Sequence, residues 1–275
     1  ALCTLDLMIG LLIGDGNLPK VLIKKLEQKK IKFIAINLSK KKISKKFFYN
    51  FNISQFSKIV EMLKKNNCKE VILAGKVTRP RIEDIKIDFG TLKILPKIIL
   101  SLKKGDSHAL DFVINYLNRM DMKVVSCTKY LPELLAENFV NKFKLTKQDL
   151  RDVEKGKAIL NHVNKKYDVG QSIVINKGLV VGIEAAEGTD QMILKSLGIM
   201  KKINKKIPSG VLIKVPKKIQ DLRVDLPTIG YNTIRNCIKI GLRGIALKKN
   251  QNIFLDQKKS LNLIKKNNFF ITVIN

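Results

Sequence analysis

The strongest constraint on this chain is an alternation, between residues 8 and 127, of short unbroken apolar runs with longer stretches of helical period. Met8–Ile13 (MIGLLI) contains no polar residue. It therefore suits a strand covered on both faces rather than one with a wet side. Gly14-Asp15-Gly16-Asn17 follows as a turn, and Pro19, which has no N–H to lose, is expected at the first position of a helix running to about Lys29. Residues 32–38 and 70–75 repeat the buried-strand pattern, while residues 55–66 place Phe56, Ile59, Val60 and Leu63 on one helical face. Helices over residues 92–102 and 107–119 and a strand over 123–127 complete the series. Strands joined by helical crossovers run parallel, with helices on both faces of the sheet. The fold class is thus α/β, with an N-terminal Rossmann-like parallel sheet over residues 8–135.

The pattern weakens between residues 131 and 145. Thr146 and Asp149 then form a capping pair for a helix reaching about Lys165, so residues 136–165 read as a linker helix region. A second α/β domain with a mixed sheet is expected over residues 166–275. It opens with a hairpin, residues 171–175 and 179–184 around the turn Asn176-Lys177-Gly178. A helix after Gly188-Thr189, strands over 210–215, 244–248 and 269–273, and helices over 232–240 and 257–266 follow.

The formal charge is +30, but only seven of the 53 basic residues are arginine, leaving 46 (53 minus 7) lysines spread along the chain. No aromatic-interleaved basic stripe or zinc-finger spacing accompanies them, so a specific nucleic-acid partner is not expected. Such a surface attracts anions generally, including phosphates and acidic membranes. Cys3, Cys68, Cys127 and Cys237 form no CxxC pair, which fits a reduced compartment without disulfides or structural zinc. No run approaches the roughly 18 to 20 apolar residues of a membrane span. The apolar opening lacks the basic start of a signal peptide. A cytoplasmic location is the resulting expectation.

Candidate chemistry gathers in two acidic segments. Asp221, Arg223 and Asp225 alternate, so an extended chain would put them on one face. Two carboxylates flanking a guanidinium suit a divalent cation and a phosphate together, with Lys214 and Lys217 neutralising developing charge. By spacing alone, an ordinary surface ion-pair cluster accounts for them equally well. In Glu184-Ala185-Ala186-Glu187-Gly188-Thr189-Asp190, a strand gives way to a helix; Thr189 and Asp190 read as caps, which leaves Glu184 and Glu187 unexplained. Gly10, Gly14 and Gly16 resemble a phosphate-binding turn, but Pro19 stands where a dinucleotide fingerprint has its third glycine, which favours a nucleotide over NAD. Lys76, Thr78 and Arg79 follow the third predicted strand, at the end where open α/β sheets place ligands. A plain basic loop is the alternative there. His108 reads as structural, and no nucleophile elbow, P-loop or HExxH motif is present.

Taken together, GLLIGDGNLP (10–19), EVILAGKVTRP (70–80), ILPKIILSLKKGD (94–106), LPELLA (131–136), DVGQSIVI (168–175), IEAAEGTD (183–190), GVLIKVPKKIQDLRVDLPTIG (210–230) and GLRGIAL (241–247) resemble the magnesium-dependent, two-domain UDP-2,3-diacylglucosamine pyrophosphatases of lipid A biosynthesis. The chain departs from that pattern at Asp15 and Ser107, outside the central block. The resemblance implies hydrolysis of UDP-2,3-diacylglucosamine to UMP and 2,3-diacylglucosamine 1-phosphate, with water attacking the α-phosphorus in a catalytic C-terminal domain. It implies Mg2+, with Mn2+ as a substitute, held by Asp225, Asp221 and Glu184. Asp225, then Asp221, with Arg223 beside them, would carry the chemistry. Substrate contacts would come from Gly14, Gly16, Lys76, Thr78 and Arg79 in the first half, and from Asp168, Gln171, Glu187, Gly188, Thr189, Asp190, Lys214, Lys217, Gln220 and Thr228 in the second. A diacylated substrate also implies peripheral contact with the inner membrane, and a homodimer is compatible with it. The alternative is a non-catalytic nucleotide-sugar or lipid carrier, in which the acidic block only shapes a polar groove.

Overall fold

The computed structural model describes residues 8–77, 88–103, 106–139, 141, 143–167, 169–203, 208–217 and 221–275. Thr78, Arg79, Asp168 and Gln220 lie outside the described residues. The chain divides into two compact units, one ending at Pro132 and the other beginning at Glu133.

The first unit is built on a five-stranded sheet. Its strands are β1 (Met8–Ile13), β2 (Phe33–Asn37), β3 (Phe48–Asn50), β4 (Cys68–Ala74) and β5 (Lys123–Val124), in the order β3-β2-β1-β4-β5. Every pairing is parallel, as expected for strands separated by crossovers. The central strand β1 is buried along Ile9–Ile13, which explains its lack of polar residues. Helix α1 (Asn17–Gln28) buries Pro19, Leu22 and Leu26 on one stripe. Pro19 is the third helical residue rather than the first, still within the turn whose N–H groups have no intrahelical acceptor. Helix α2 (Phe56–Lys65) buries the predicted Phe56, Ile59, Val60 and Leu63. Helices α3 (Phe89–Lys103) and α4 (Asp106–Arg119) follow β4, and Phe56 meets the rings of Phe112 and Tyr116 on α4.

Strand order reverses between β1 and β4, and the two loops leaving that point are cross-braced. Asp15 N–H donates to Lys76 O at 2.8 Å and Lys76 N–H to Asp15 O at 2.8 Å. A Cβ on Gly14 would lie 2.4 Å from the Lys76 carbonyl oxygen. Gly75, at φ +89°, would put its own 2.6 Å from Asp15 O. Glycine is therefore required twice by one close backbone crossing.

The second unit has a mixed five-stranded sheet in the order β12-β10-β8-β6-β7, made of β6 (Ser172–Asn176), β7 (Leu179–Ile183), β8 (Val211–Lys214), β10 (Gly244–Lys248) and β12 (Phe270–Ile274). β8, β10 and β12 run parallel, whereas β6 is antiparallel both to β8 and to its hairpin partner β7. β9 (Thr228–Ile229) and β11 (Ile253–Phe254) form a separate parallel pair. Helix α5 (Lys147–Lys166) covers one face: its Val153 and Leu160 pack with Ile173, Ile175, Val211, Ile213, Ala246 and Phe270. The alternate residues Val174, Leu212, Ile245, Leu247 and Ile271 face the other way. Helices α6 (Thr189–Lys195), α7 (Leu197–Ile203), α8 (Tyr231–Lys239) and α9 (Gln257–Lys266) bury Ile193, Met200, Ile234 and Ile264 against them. Thr146 and Asp149 make the expected capping box at the start of α5, and Asp149 also pairs with Arg243 at 3.1 Å. Residues 133–139 and 141, where the sequence pattern weakened, are pinned to this unit. Ala136 N–H donates to Asn252 O, the Asn141 amide donates to Phe269 O, and Phe139 meets Phe254 edge-on at 5.4 Å.

Among the described residues, no helix is long and apolar enough to cross a membrane. Cys68, Cys127 and Cys237 are buried and free. Burial pushes the Cys68 thiol up to about 12 and that of Cys127 to about 11, which leaves both unreactive.

Candidate active site

The most distinctive polar group in the second unit is Lys214, the last residue of β8, whose side chain is only 5% exposed. A buried ammonium needs partners. Ser172, which opens β6, lies directly opposite Lys214 in the antiparallel register, so the two side chains share a face. Lys214 Nζ donates to Ser172 Oγ at 3.0 Å and to Thr189 Oγ1 at 2.7 Å. Thr189 is the first residue of α6, and Ser172 Oγ and Thr189 Oγ1 are 3.2 Å apart. Glu184, one residue past the end of β7, brings Oε2 to 3.6 Å from the ammonium. The Gln171 N–H donates to the same carboxylate oxygen at 3.3 Å, and Gln171 O accepts from Val215 N–H at 3.0 Å.

Electrostatics follow from this enclosure. Burial pushes the Lys214 ammonium below the ordinary lysine value; the charges of Glu184, Asp190 and Asp225 oppose that push without cancelling it. Burial alone would raise Glu184. The Lys214 charge and hydrogen bonds from Ser172, Thr189 and the Gln171 backbone outweigh it, so the carboxyl sits below the usual range. Asp190, in the first turn of α6, accepts from Thr233 Oγ1 at 2.8 Å. The cluster thus draws on β6, β8, α6, α8 and the loops after β7 and β8.

The segment 221–225 departs from expectation. An extended run was to align Asp221, Arg223 and Asp225. The backbone turns instead, with Val224 N–H and Asp225 N–H both donating to Asp221 O at 3.1 Å. Two close amides on one carbonyl favour the turn over a strand in a segment with no sheet partner among the described residues. Arg223 folds back onto Asp221, with Nε to Oδ1 at 3.0 Å and Nη2 to Oδ2 at 2.6 Å. This guanidinium, through its hydrogen bonds above all, holds the Asp221 carboxyl below its usual range. Asp225 stands exposed at the end of the turn, and its charge reaches Lys214.

The structure therefore gathers Gln171, Glu184, Thr189, Asp190, Lys214 and Asp225 around one buried ammonium. It also pairs Asp221 with Arg223. Glu187 is engaged by Lys195 at 3.6 Å. Gly188, at φ +82°, caps α6 with open space where a Cβ would point. Thr228 Oγ1 donates to Leu226 O at 3.0 Å, and Lys217 lies half-buried beyond β8. Gly14, Gly16 and Lys76 belong to the first unit, at its strand-order reversal. Ser172 and Thr233 are members that sequence reasoning missed. The one signal for Ser172 was a hydroxyl opening an otherwise apolar strand; Thr233 gave none, being one polar residue among several on α8.

Residues 8–134 match the LpxI N-terminal domain and residues 136–272 the LpxI C-terminal domain. The chain belongs to the LpxI family. It is 30% identical over 256 residues to the UDP-2,3-diacylglucosamine pyrophosphatase LpxI of Caulobacter vibrioides, covering 91% of each chain. The two LpxI domain matches carry the α/β class expected from the sequence, and their sheets are parallel in the first and mixed in the second. Within this LpxI C-terminal domain, no group of three or more His, Cys, Asp or Glu side chains converges as a closed metal cage among the described residues. Magnesium is commonly held by one or two carboxylates, with waters and substrate oxygens completing its shell. The oxygen donors of Glu184 and Asp225, whose charges both act on Lys214, suit that open type of site.

Proposed function

We propose that this chain hydrolyses the pyrophosphate of UDP-2,3-diacylglucosamine, releasing UMP and 2,3-diacylglucosamine 1-phosphate for lipid A biosynthesis, with water attacking the α-phosphorus. Two findings support the reading: the relative of that printed activity, aligned over nine-tenths of both chains, and the buried Lys214 cluster inside the matching C-terminal domain. The cluster is the observation that carries the chemistry. A phosphoanhydride repels nucleophiles with its own negative charge, so catalysis must supply fixed positive charge in a dry setting. Lys214 does this, oriented by Ser172 and Thr189, and the Glu184 charge favours its ammonium form. Asp225, exposed at the mouth, orients the attacking water and accepts its proton. Arg223, steadied by Asp221, meets substrate phosphate oxygens. Magnesium, when bound by Asp225 and Glu184, would add Lewis-acid stabilisation to the phosphate, and Mn2+ would replace it. The substrate-contact assignments for Gly14, Gly16, Lys76, Gln171, Gly188, Thr189, Asp190, Lys217 and Thr228 belong to the same proposal. So do those for Glu187 and for the residues outside the described set. A cytoplasmic enzyme touching the inner membrane follows from a diacylated substrate.

The test is UMP release from UDP-2,3-diacylglucosamine with magnesium, with EDTA, and in Asp225→Ala. Metal-dependent release is expected, falling about 10²–10⁴-fold in the folded variant. Substrate binding by the folded wild type without turnover, under Mg2+ or Mn2+, would leave only the carrier role.

A further inference from the structure

Between Glu27 and Glu61 the chain has nine lysines and no carboxylate or arginine. Five of these, Lys40, Lys41, Lys42, Lys45 and Lys46, fall in the loop joining β2 to the edge strand β3. Like charges at this density favour an extended, fluctuating loop, yet this loop is built. Asn37, 1% exposed at the end of β2, donates through its amide to Lys41 O at 2.8 Å and to Asn50 Oδ1 at 2.7 Å. Asn50 in turn closes both backbone groups of Ile43, accepting from its N–H and donating to its carbonyl at 2.9 Å each. An open concavity of about 550 Å³ results, with Lys42 and Lys46 beside Ile43 and Phe48. In the same loop Phe47 is held at φ +65°, unusual for a bulky residue, and stands 50% exposed. Its carbonyl is tied to Ala35 N–H at 2.9 Å, so the backbone cannot relax without releasing the edge of the sheet. Strain retained to present an aromatic ring to solvent calls for a partner.

We infer that this loop is the surface by which the protein docks on an anionic lipid bilayer. Lysine ammoniums are compact point charges with no fixed fork geometry, suited to a fluid headgroup layer, and their long stems let the charge stay in the interface while apolar neighbours enter it. The arginines that read nucleic-acid phosphates and bases in a fixed geometry are absent from the loop. Lys46 Nζ lies over the Phe47 ring at 5.1 Å, which occupies a face that a stacked base would need. The ring edge is left to enter the acyl boundary.

The inference rests on the hydrolase reading only in its choice of a bilayer, and the experiment separates the two. The full chain is floated with substrate-free vesicles of phosphatidylglycerol and phosphatidylethanolamine, and with phosphatidylcholine alone. UMP release from detergent-dispersed substrate is measured in parallel. Wild type should float with the anionic vesicles only. Combined Lys41→Gln, Lys42→Gln and Lys46→Gln should lower partitioning about 100-fold, each lysine contributing roughly a factor of five. Phe47→Asn, which suits the left-handed backbone, should lower it several-fold with the fold intact. Equal flotation of the triple variant, or equal wild-type flotation with phosphatidylcholine, would overturn the inference. So would lysine-dependent capture of single-stranded RNA without vesicle binding. Lysine-dependent flotation by a chain that releases no UMP would sink the hydrolase reading and leave the docking surface standing.

Discussion

Lys214 and Glu184 are each tolerable in the interior only because the other is there. Replacing Lys214 by Met would leave a buried carboxylate whose counter-charge has gone, a change that costs about 3 kcal/mol. Urea unfolding of Lys214→Met should show that loss. Adding Glu184→Gln should recover most of the stability and none of the UMP release, which would separate packing from chemistry. The pH dependence has a defined sign. Glu184, Asp221, Asp88 and Glu70 all sit below their ordinary values in the folded chain, despite burial that pushes each of them upward. A carboxyl lowered by folding contributes stability above its unfolded value, 4.5 for glutamate, and loses it as pH falls through the folded value. Melting temperature should therefore hold from pH 7 to about pH 5 and fall below about 4.5, more gently in Glu184→Gln. An acid limb no gentler in that variant would argue against the low Glu184 carboxyl. The identities of these residues were legible in sequence, and Glu184 was singled out because capping could not explain it. Its partner could not be read, because the β6–β8 register that sets Ser172 opposite Lys214 spans 42 residues of chain.

At the scale of elements, helices with a regular apolar stripe were legible to within a few residues, α2 and α9 among them, because their period is written locally. The short strands β3, β9 and β11 were not. Two or three residues carry no period, and they are extended only because a neighbour supplies hydrogen bonds. The same dependence misled the reading of residues 221–225. Alternation would align their charges only in an extended segment, and local amides close a turn there instead. The glycine-rich turn after β1 was visible, whereas its braced crossing with Lys76 was not. That crossing makes a prediction: Gly75→Ala, which combines φ +89° with a 2.6 Å contact to Asp15 O, should cost on the order of 3 kcal/mol. Gly16→Ala, at φ +116° but facing open space, should cost about 1 kcal/mol. Denaturant midpoints that rank the two variants in the opposite order would refute the crossing.

For the whole molecule, two compact units meet in sequence at Pro132 and Glu133, and the second has apolar clusters on both faces of its sheet. Residues 133–275 expressed alone should melt in one cooperative step by circular dichroism. A piece starting at residue 147 should melt lower, because it lacks Ala136, Phe139 and the Asn141 bonds to the last strand. Equal melting would show that residues 133–146 only connect the two halves. Composition described the lysines as dispersed; five of them nonetheless stand within residues 40–46, and the fold braces that loop beside an exposed ring. By itself the sequence determined the α/β class, the parallel first sheet, the α5 cap and the family, because periods, caps and motifs act within a few residues of one another. Only the tertiary structure decided which carboxylates share the Lys214 ammonium, that Arg223 turns back onto Asp221, and that Asn37 and Asn50 hold the basic loop in shape. Those outcomes depend on burial and on pairing across the chain, where the energy of a charge is set by neighbours that its own segment does not contain.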